Sequence, residues 1–136
     1  MPEFSKISRQ RLDSCQPELV RLFERVAARF DCAILEGRRD KATQDRYFAE
    51  GKSRLKWPQG KHCAEPPALS RAVDAAPFHG GKASYDPRHC LHFAGYVLGV
   101  AAELGIALRW GGDWDGDNEP VTDQDFQDLV HFELKD

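Results

Sequence analysis

The sequence predicts an α+β domain in which a small, mainly antiparallel sheet lies under helices. Three observations carry this reading. Segments with helical periodicity interleave with short apolar runs of strand length. None of the connections between those runs demands a parallel crossover. The 136 residues, 41% hydrophobic and 30% charged, suit one ordinary core, so residues 1–136 are read as a single domain.

Each element has its own signal. Between Pro17 and Phe30, the residues Leu19, Val20, Leu22, Phe23, Val26, Ala27 and Phe30 recur at helical spacing and make an amphipathic helix. "CAIL" at 32–35 is a buried strand that runs into the loop "EGRRD". Asp40 caps a second helix that passes through Tyr47 and Phe48, and Gly51 stops it. Pro58, Pro66 and Pro67 keep 52–70 a loop. "RAVDAAPF" at 71–78 is a strand ended by Pro77. The best-marked helix has Asp86 as N-cap, Pro87 at its first position and Gly105 just past its end. "IALRW" is then a strand, "GGDWDGDNEPVTD" an acidic loop and "LVHFELKD" a closing strand.

A net charge of −3 and a pI near 5.9 argue against a nucleic-acid binder driven by bulk electrostatics. Basic residues do gather in "GKSRLKWPQGK", where a local anionic partner or plain solvation are both open. No apolar window is long enough to span a bilayer, and the charged N-terminus lacks the apolar stretch of a secretory signal. The chain is therefore expected in the cytoplasm at synthesis, without membrane insertion. Cys15, Cys32, Cys63 and Cys90 form no CxxC pair, so free thiols are expected and a zinc ribbon is excluded.

The aspartate inside "AVDAAPF" raises the functional question. Alternation turns Asp74 away from Val73 and Ala75. A buried lone carboxylate is costly, and a dication would remove that cost. In "DLVHFEL", Phe132 and Leu134 share one face, leaving His131 and Glu133 on the other. His62 in the proline-rich loop offers a third donor, and catalytic zinc takes three such ligands with one position left for water. Spacing alone leaves the bland alternatives open: a solvated loop histidine and a hydrogen-bonded strand aspartate.

Four blocks occur together and in order: "GRRDKATQDRYFAEGKSRLKWPQGKH", "SRAVDAAPF", "RWGGDWDGD" and "DLVHFELKD". Together they resemble the zinc D-Ala-D-Ala carboxypeptidase and L-alanyl-D-glutamate endopeptidase family, in particular its single-domain bacteriophage endolysins. The resemblance covers nearly everything from Leu35 to Lys135. It implies the small α+β fold shared with the Hedgehog signalling domain. It also implies zinc on His62, Asp74 and His131, with Asp128 as general base. Arg39 would stabilise the oxyanion, while Gln44 would orient its loop. Glu133 is the rival base, or a partner that fixes an imidazole. Many members space the first two ligands as HxxxxGxAxD; the insert "CAEPPALSR" lengthens this, and His79 is the alternative ligand.

The implied activity is hydrolysis of the L-Ala–D-Glu bond of the peptidoglycan stem peptide by a monomeric phage lysis enzyme that reaches the wall through a membrane pore. D-Ala-D-Ala carboxypeptidase action at the same site and a non-catalytic wall-binding module are the alternatives. A metal-dependent nuclease is disfavoured by the acidic balance. Asp113, Asp115 and Asp117 alternate as at the start of a calcium loop, although position six is Asn118 and position twelve Gln124. A calcium ion and a solvated acidic loop are the two readings of that segment. His89 and His92 at i and i+3 lack a third helical ligand. Trp57, Trp110 and Trp114 are each read as cleft-lining or core.

Overall fold

The computed structural model describes residues 4–118 and 128–135. Its elements are α1 (Lys6–Asp13), α2 (Pro17–Ala27), β1 (Cys32–Glu36), α3 (Lys41–Ala49), β2 (Ala72–His79), β3 (Lys82–Ala83), α4 (Pro87–Leu104), β4 (Leu108–Gly111) and β5 (Asp128–Leu134). The sheet runs β1-β2-β5-β4, all antiparallel, with β3 hairpinned onto β2. This is the expected α+β arrangement.

The cross-strand register sorts the sheet into two chemically distinct faces. Val73 pairs with Phe132, Trp110 pairs with Phe132 from the other side, and Leu108 pairs with Leu134. That face is apolar and is covered by α2 and α4. Phe132 sits at its centre with Phe23 at 5.7 Å and Phe93 at 6.3 Å, both edge-on. The alternating positions form the other face. Asp74 pairs with His131 and with Glu36, and Arg109 pairs with Glu133. Glu36, Asp74, Arg109, His131 and Glu133 are thereby gathered opposite the helices.

The capping signals behave as read. Asp40 accepts from Thr43 N at 2.9 Å, Asp86 accepts from Arg88 N at 2.9 Å, and Gly105 ends α4 at φ 73°. Besides the unexpected two-residue β3, three features differ from expectation. Helix α1 precedes the first expected element; it buries only Ser8 and Leu12, too little apolar surface to leave a periodic signal. Residue Phe30 lies beyond α2, packed against Phe93 at 5.1 Å. Strand β2 passes through Pro77 instead of ending there. The carbonyl of Pro77 accepts from Ser84 N, whereas Phe78 N donates to Asp31 O on the β1 side, so the missing N–H faces away from β1.

Candidate active site

The loop carrying His62 is fastened to the segment after β1. Arg39 N donates to His62 O at 2.7 Å, and Ala64 N donates back to Arg39 O at 3.1 Å. His62 is 5% exposed, and its Nδ1 lies 2.7 Å from Gly37 O. A carbonyl can only accept, so the ring proton sits on Nδ1 and Nε2 presents its lone pair. Glycine is required at 37: a Cβ there would stand 2.1 Å from Arg11 O and 2.5 Å from Ser14 Oγ.

The last strand supplies the complementary imidazole. His131, 8% exposed, has Nε2 2.8 Å from Glu133 Oε1. Burial works against the charge on Glu133, but the hydrogen bond from His131 outweighs it and holds the carboxylate below its usual range. An ionised Glu133 accepts, so the proton sits on Nε2 and Nδ1 faces inward. Both inward nitrogens meet one atom, Asp74 Oδ1, each at 3.1 Å. The three donor atoms lie within 4.8 Å of one another.

Such a cluster needs a cation, either a proton or a metal. Burial disfavours charge on His131, yet its bonds to Asp74 and Glu133 raise its pKa to about 9. Burial likewise opposes ionisation of Asp74, but the two histidines hold it well below the ordinary carboxylate range. Two nitrogens and one oxygen from three buried or half-buried side chains fit a zinc ion, and their outer partners, Gly37 O and Glu133, already set both tautomers.

Asp128 opens β5 opposite Gly111 and lines the same cleft, of about 550 Å³. Burial and then the charge of Asp74 push its pKa up. Arg39 also lines the cleft, held by Glu36, by Gln44 Oε1 at 2.8 Å, and over the Tyr47 ring at 4.8 Å. Gln44 is fully buried in α3, and its Nε2 donates to Leu55 O at 2.6 Å and Ser53 Oγ at 3.0 Å. It therefore ties the arginine to the 53–55 wall.

Of the remaining candidates, His79 is exposed and stacks on His89 at 3.9 Å, away from the cluster. His92 packs against Phe30 at 5.3 Å. Cys63 is half-buried and stands outside the His62–Asp74–His131 group. Asp113, Asp115 and Asp117 do converge, and Asn118 N donates to Asp113 Oδ2 at 3.0 Å. Asn118 has φ 67°, the left-handed conformation that glycine supplies at that place in calcium loops. Gln124 lies outside the described residues. Trp110 is core, with Nε1 donating to Leu129 O at 2.9 Å, whereas Trp114 stands 5.6 Å from the His131 ring. Reasoning from sequence missed Gly37 and Arg109, whereas Lys61 fell within the basic cluster "GKSRLKWPQGK"; alternation in "LRW" was the available signal for Arg109.

A profile of the phage L-alanyl-D-glutamate peptidase family matches residues 2–135. The chain belongs to this family. It is a peptidase of the phage L-alanyl-D-glutamate type, as the four sequence blocks implied. The L-alanyl-D-glutamate peptidase of Escherichia phage T5 is 31% identical over 138 residues, covering 97% of each chain. The crystal structure of the Serratia marcescens L-Ala D-Glu endopeptidase ChiX superposes with a TM-score of 0.74 at 27% identity, over 97% of this chain and 89% of that one. Among the described residues, no helix is long and apolar enough to cross a membrane.

Proposed function

We propose that this phage-type peptidase is a zinc enzyme that cuts the L-Ala–D-Glu bond of the peptidoglycan stem peptide. His62, Asp74 and His131 hold the metal, Asp128 is the general base, and Arg39 faces the developing oxyanion. The observation that carries this is the convergence of His62 Nε2 and His131 Nδ1 on Asp74 Oδ1, with each ring's other nitrogen already engaged. When bound, zinc supplies a Lewis acid for the scissile carbonyl and makes a water acidic enough to attack near neutral pH.

The chain's own groups supply the rest. Asp128 takes a proton from the attacking water and passes it to the leaving amine, a role suited to a carboxylate whose pKa is raised by burial. Arg39, aligned by Glu36 and Gln44, brings fixed positive charge to the oxygen that gains negative charge. Glu133 serves as the positioning partner of His131, since its two oxygens are committed to His131 and Arg109.

A calcium ion at Asp113, Asp115 and Asp117 is part of the reading, supported by Asp113 Oδ1, which is buried without a hydrogen-bond partner among the described residues. The enzyme works as one monomeric catalytic domain on the wall after release through a membrane pore, with no nucleic-acid partner. The test is digestion of purified peptidoglycan by zinc-loaded protein, with products analysed by mass spectrometry and end-group labelling. New glutamate amino termini, lost in Asp74→Ala and Asp128→Ala, are expected. Release of free D-Ala would change the bond, and no products from walls that another hydrolase digests would sink the catalytic reading.

A further inference from the structure

The L-Ala–D-Glu reading has a chemical consequence for the rest of the cleft. A glutamyl residue has two carboxyl groups and uses only one to continue the stem. The other remains free, so the substrate carries a negative charge a few bonds from the scissile nitrogen. The cleft is itself lined by Asp74, Asp128 and Glu133, which repel that charge unless a cation is placed to receive it. Binding therefore calls for a cationic group beside the metal ligands that is still open to a ligand.

We propose that Arg109 is this group, with Trp114 as the plate that holds its guanidinium flat. The β4–β5 register pairs Arg109 with Glu133, on the sheet face that carries Asp74 and His131. Its Nε donates to Glu133 Oε2 at 3.2 Å, and its guanidinium lies 5.0 Å from the centroid of the Trp114 ring. Both of those partners touch His131: Glu133 through its other oxygen at 2.8 Å, and Trp114 ring to ring at 5.6 Å. Arg109 thus stands one side chain from the metal cluster by two routes. The side chain is 43% exposed, and among the described residues its two terminal nitrogens make no hydrogen bond. A guanidinium over an aromatic ring with both terminal N–H groups available can grip a carboxylate with two parallel hydrogen bonds.

The other cations of the cleft are differently placed. Arg39 is held by Glu36 and Gln44. Lys61 Nζ donates to Leu134 O at 2.7 Å and lies 3.5 Å from Glu133. Lys52 pairs with Glu50 at 3.2 Å in solvent. Arg54 is on the exposed 51–55 wall, which makes it the right comparator.

The inference rests on the L-Ala–D-Glu reading, and its test separates the two. Two synthetic N-acylated L-Ala–D-Glu peptides are compared, one with the free carboxylate and one with that group converted to the amide. Zinc-loaded wild type, Arg109→Gln, Arg109→Lys and Arg54→Gln are assayed on both, with zinc content measured for each protein. Wild type is expected to favour the carboxylate peptide by about ten- to a hundredfold in kcat/KM, the weight of a hydrogen bond to a charged group. In Arg109→Gln that preference is expected to fall to near unity, chiefly through KM, with zinc retained. Arg109→Lys keeps the charge without the fork and retains part of the preference; Arg54→Gln retains all of it. Loss of the structural bond to Glu133 would slow both peptides equally and leave the preference untouched. An undiminished preference in Arg109→Gln, or its collapse in Arg54→Gln instead, overturns the inference while the bond assignment stands. Wild type that cuts neither peptide overturns the bond assignment and this inference with it.

Discussion

Replacing Glu133 by glutamine removes one charge and almost no volume, and it asks whether His131 is held for a metal. Glu133 is 4% exposed; Oε1 accepts from His131 Nε2 at 2.8 Å, and Oε2 faces Arg109 Nε at 3.2 Å. A hydrogen bond to a charged group is worth roughly 1.5–3 kcal/mol and a neutral one roughly 0.5–1.5 kcal/mol. Glutamine keeps one neutral acceptor for His131 and turns its amide N–H toward the Arg109 donor, so its cost is at least the difference, about 1–1.5 kcal/mol, or about five- to fifteenfold in zinc affinity. Alanine removes the acceptor and is expected to approach about a hundredfold, the upper end for lost partners of metal-bound histidines. Competition titration against a chromophoric zinc chelator measures both, with circular dichroism checking the fold. At saturating zinc the glutamine variant should turn over close to wild type. Asp128→Asn, by contrast, should bind zinc normally and lose at least about a hundredfold in kcat. Wild-type zinc affinity in folded Glu133→Gln and Glu133→Ala would refute the argument. A zinc-saturated glutamine variant as inactive as Asp128→Asn would make Glu133 the base.

Four further outcomes follow from the same geometry. Gly37→Ala puts a Cβ 2.1 Å from Arg11 O, so it should cost about 1–3 kcal/mol in urea denaturation and also weaken zinc binding by moving the carbonyl that holds His62. Phe93→Ala empties the centre of the core and should cost about 3–5 kcal/mol in the same denaturation assay, with zinc affinity of the folded protein unchanged. Burial pushes the Cys15 and Cys32 thiols up to about 12, so a disulfide reagent at mildly alkaline pH should modify half-buried Cys63 first and those two only after unfolding. Because burial and Asp74 raise the pKa of Asp128, its ionised form is lost at a higher pH than for an ordinary carboxylate. The acid limb of kcat/KM should therefore fall above the usual value of about 4, and a limb at or below that value would count against Asp128 as base.

How much of this was legible in advance depends on how local each signal is. Helices α2 and α4 declared themselves because an apolar stripe, an N-cap such as Asp86 and a terminal glycine such as Gly105 act within a few residues. Helix α1 did not, since it is held by Leu12 in the core and by Ser8 Oγ, which accepts from Ile34 N at 3.0 Å, a contact 26 residues away. The two-residue strand β3 is too short to alternate, and Pro77 could cross β2 only because of the side its missing N–H faces.

The same division runs through the site. By itself the sequence determined which side chains share the polar face of each strand. Alternation turned Asp74 away from Val73, and His131 with Glu133 away from Phe132, so the polar face of each strand was already marked. Only the tertiary structure decided which of these meet. Pairing of β2 with β5 sets Asp74 opposite His131, and the backbone bonds between Arg39 and the 62–64 segment bring His62, rather than His79, to the third corner. Pairing of β4 with β5 then places Arg109 beside Glu133. Those contacts join residues far apart in the chain, and strand register, which one residue of slip would invert, is a property of the packed sheet rather than of any single segment.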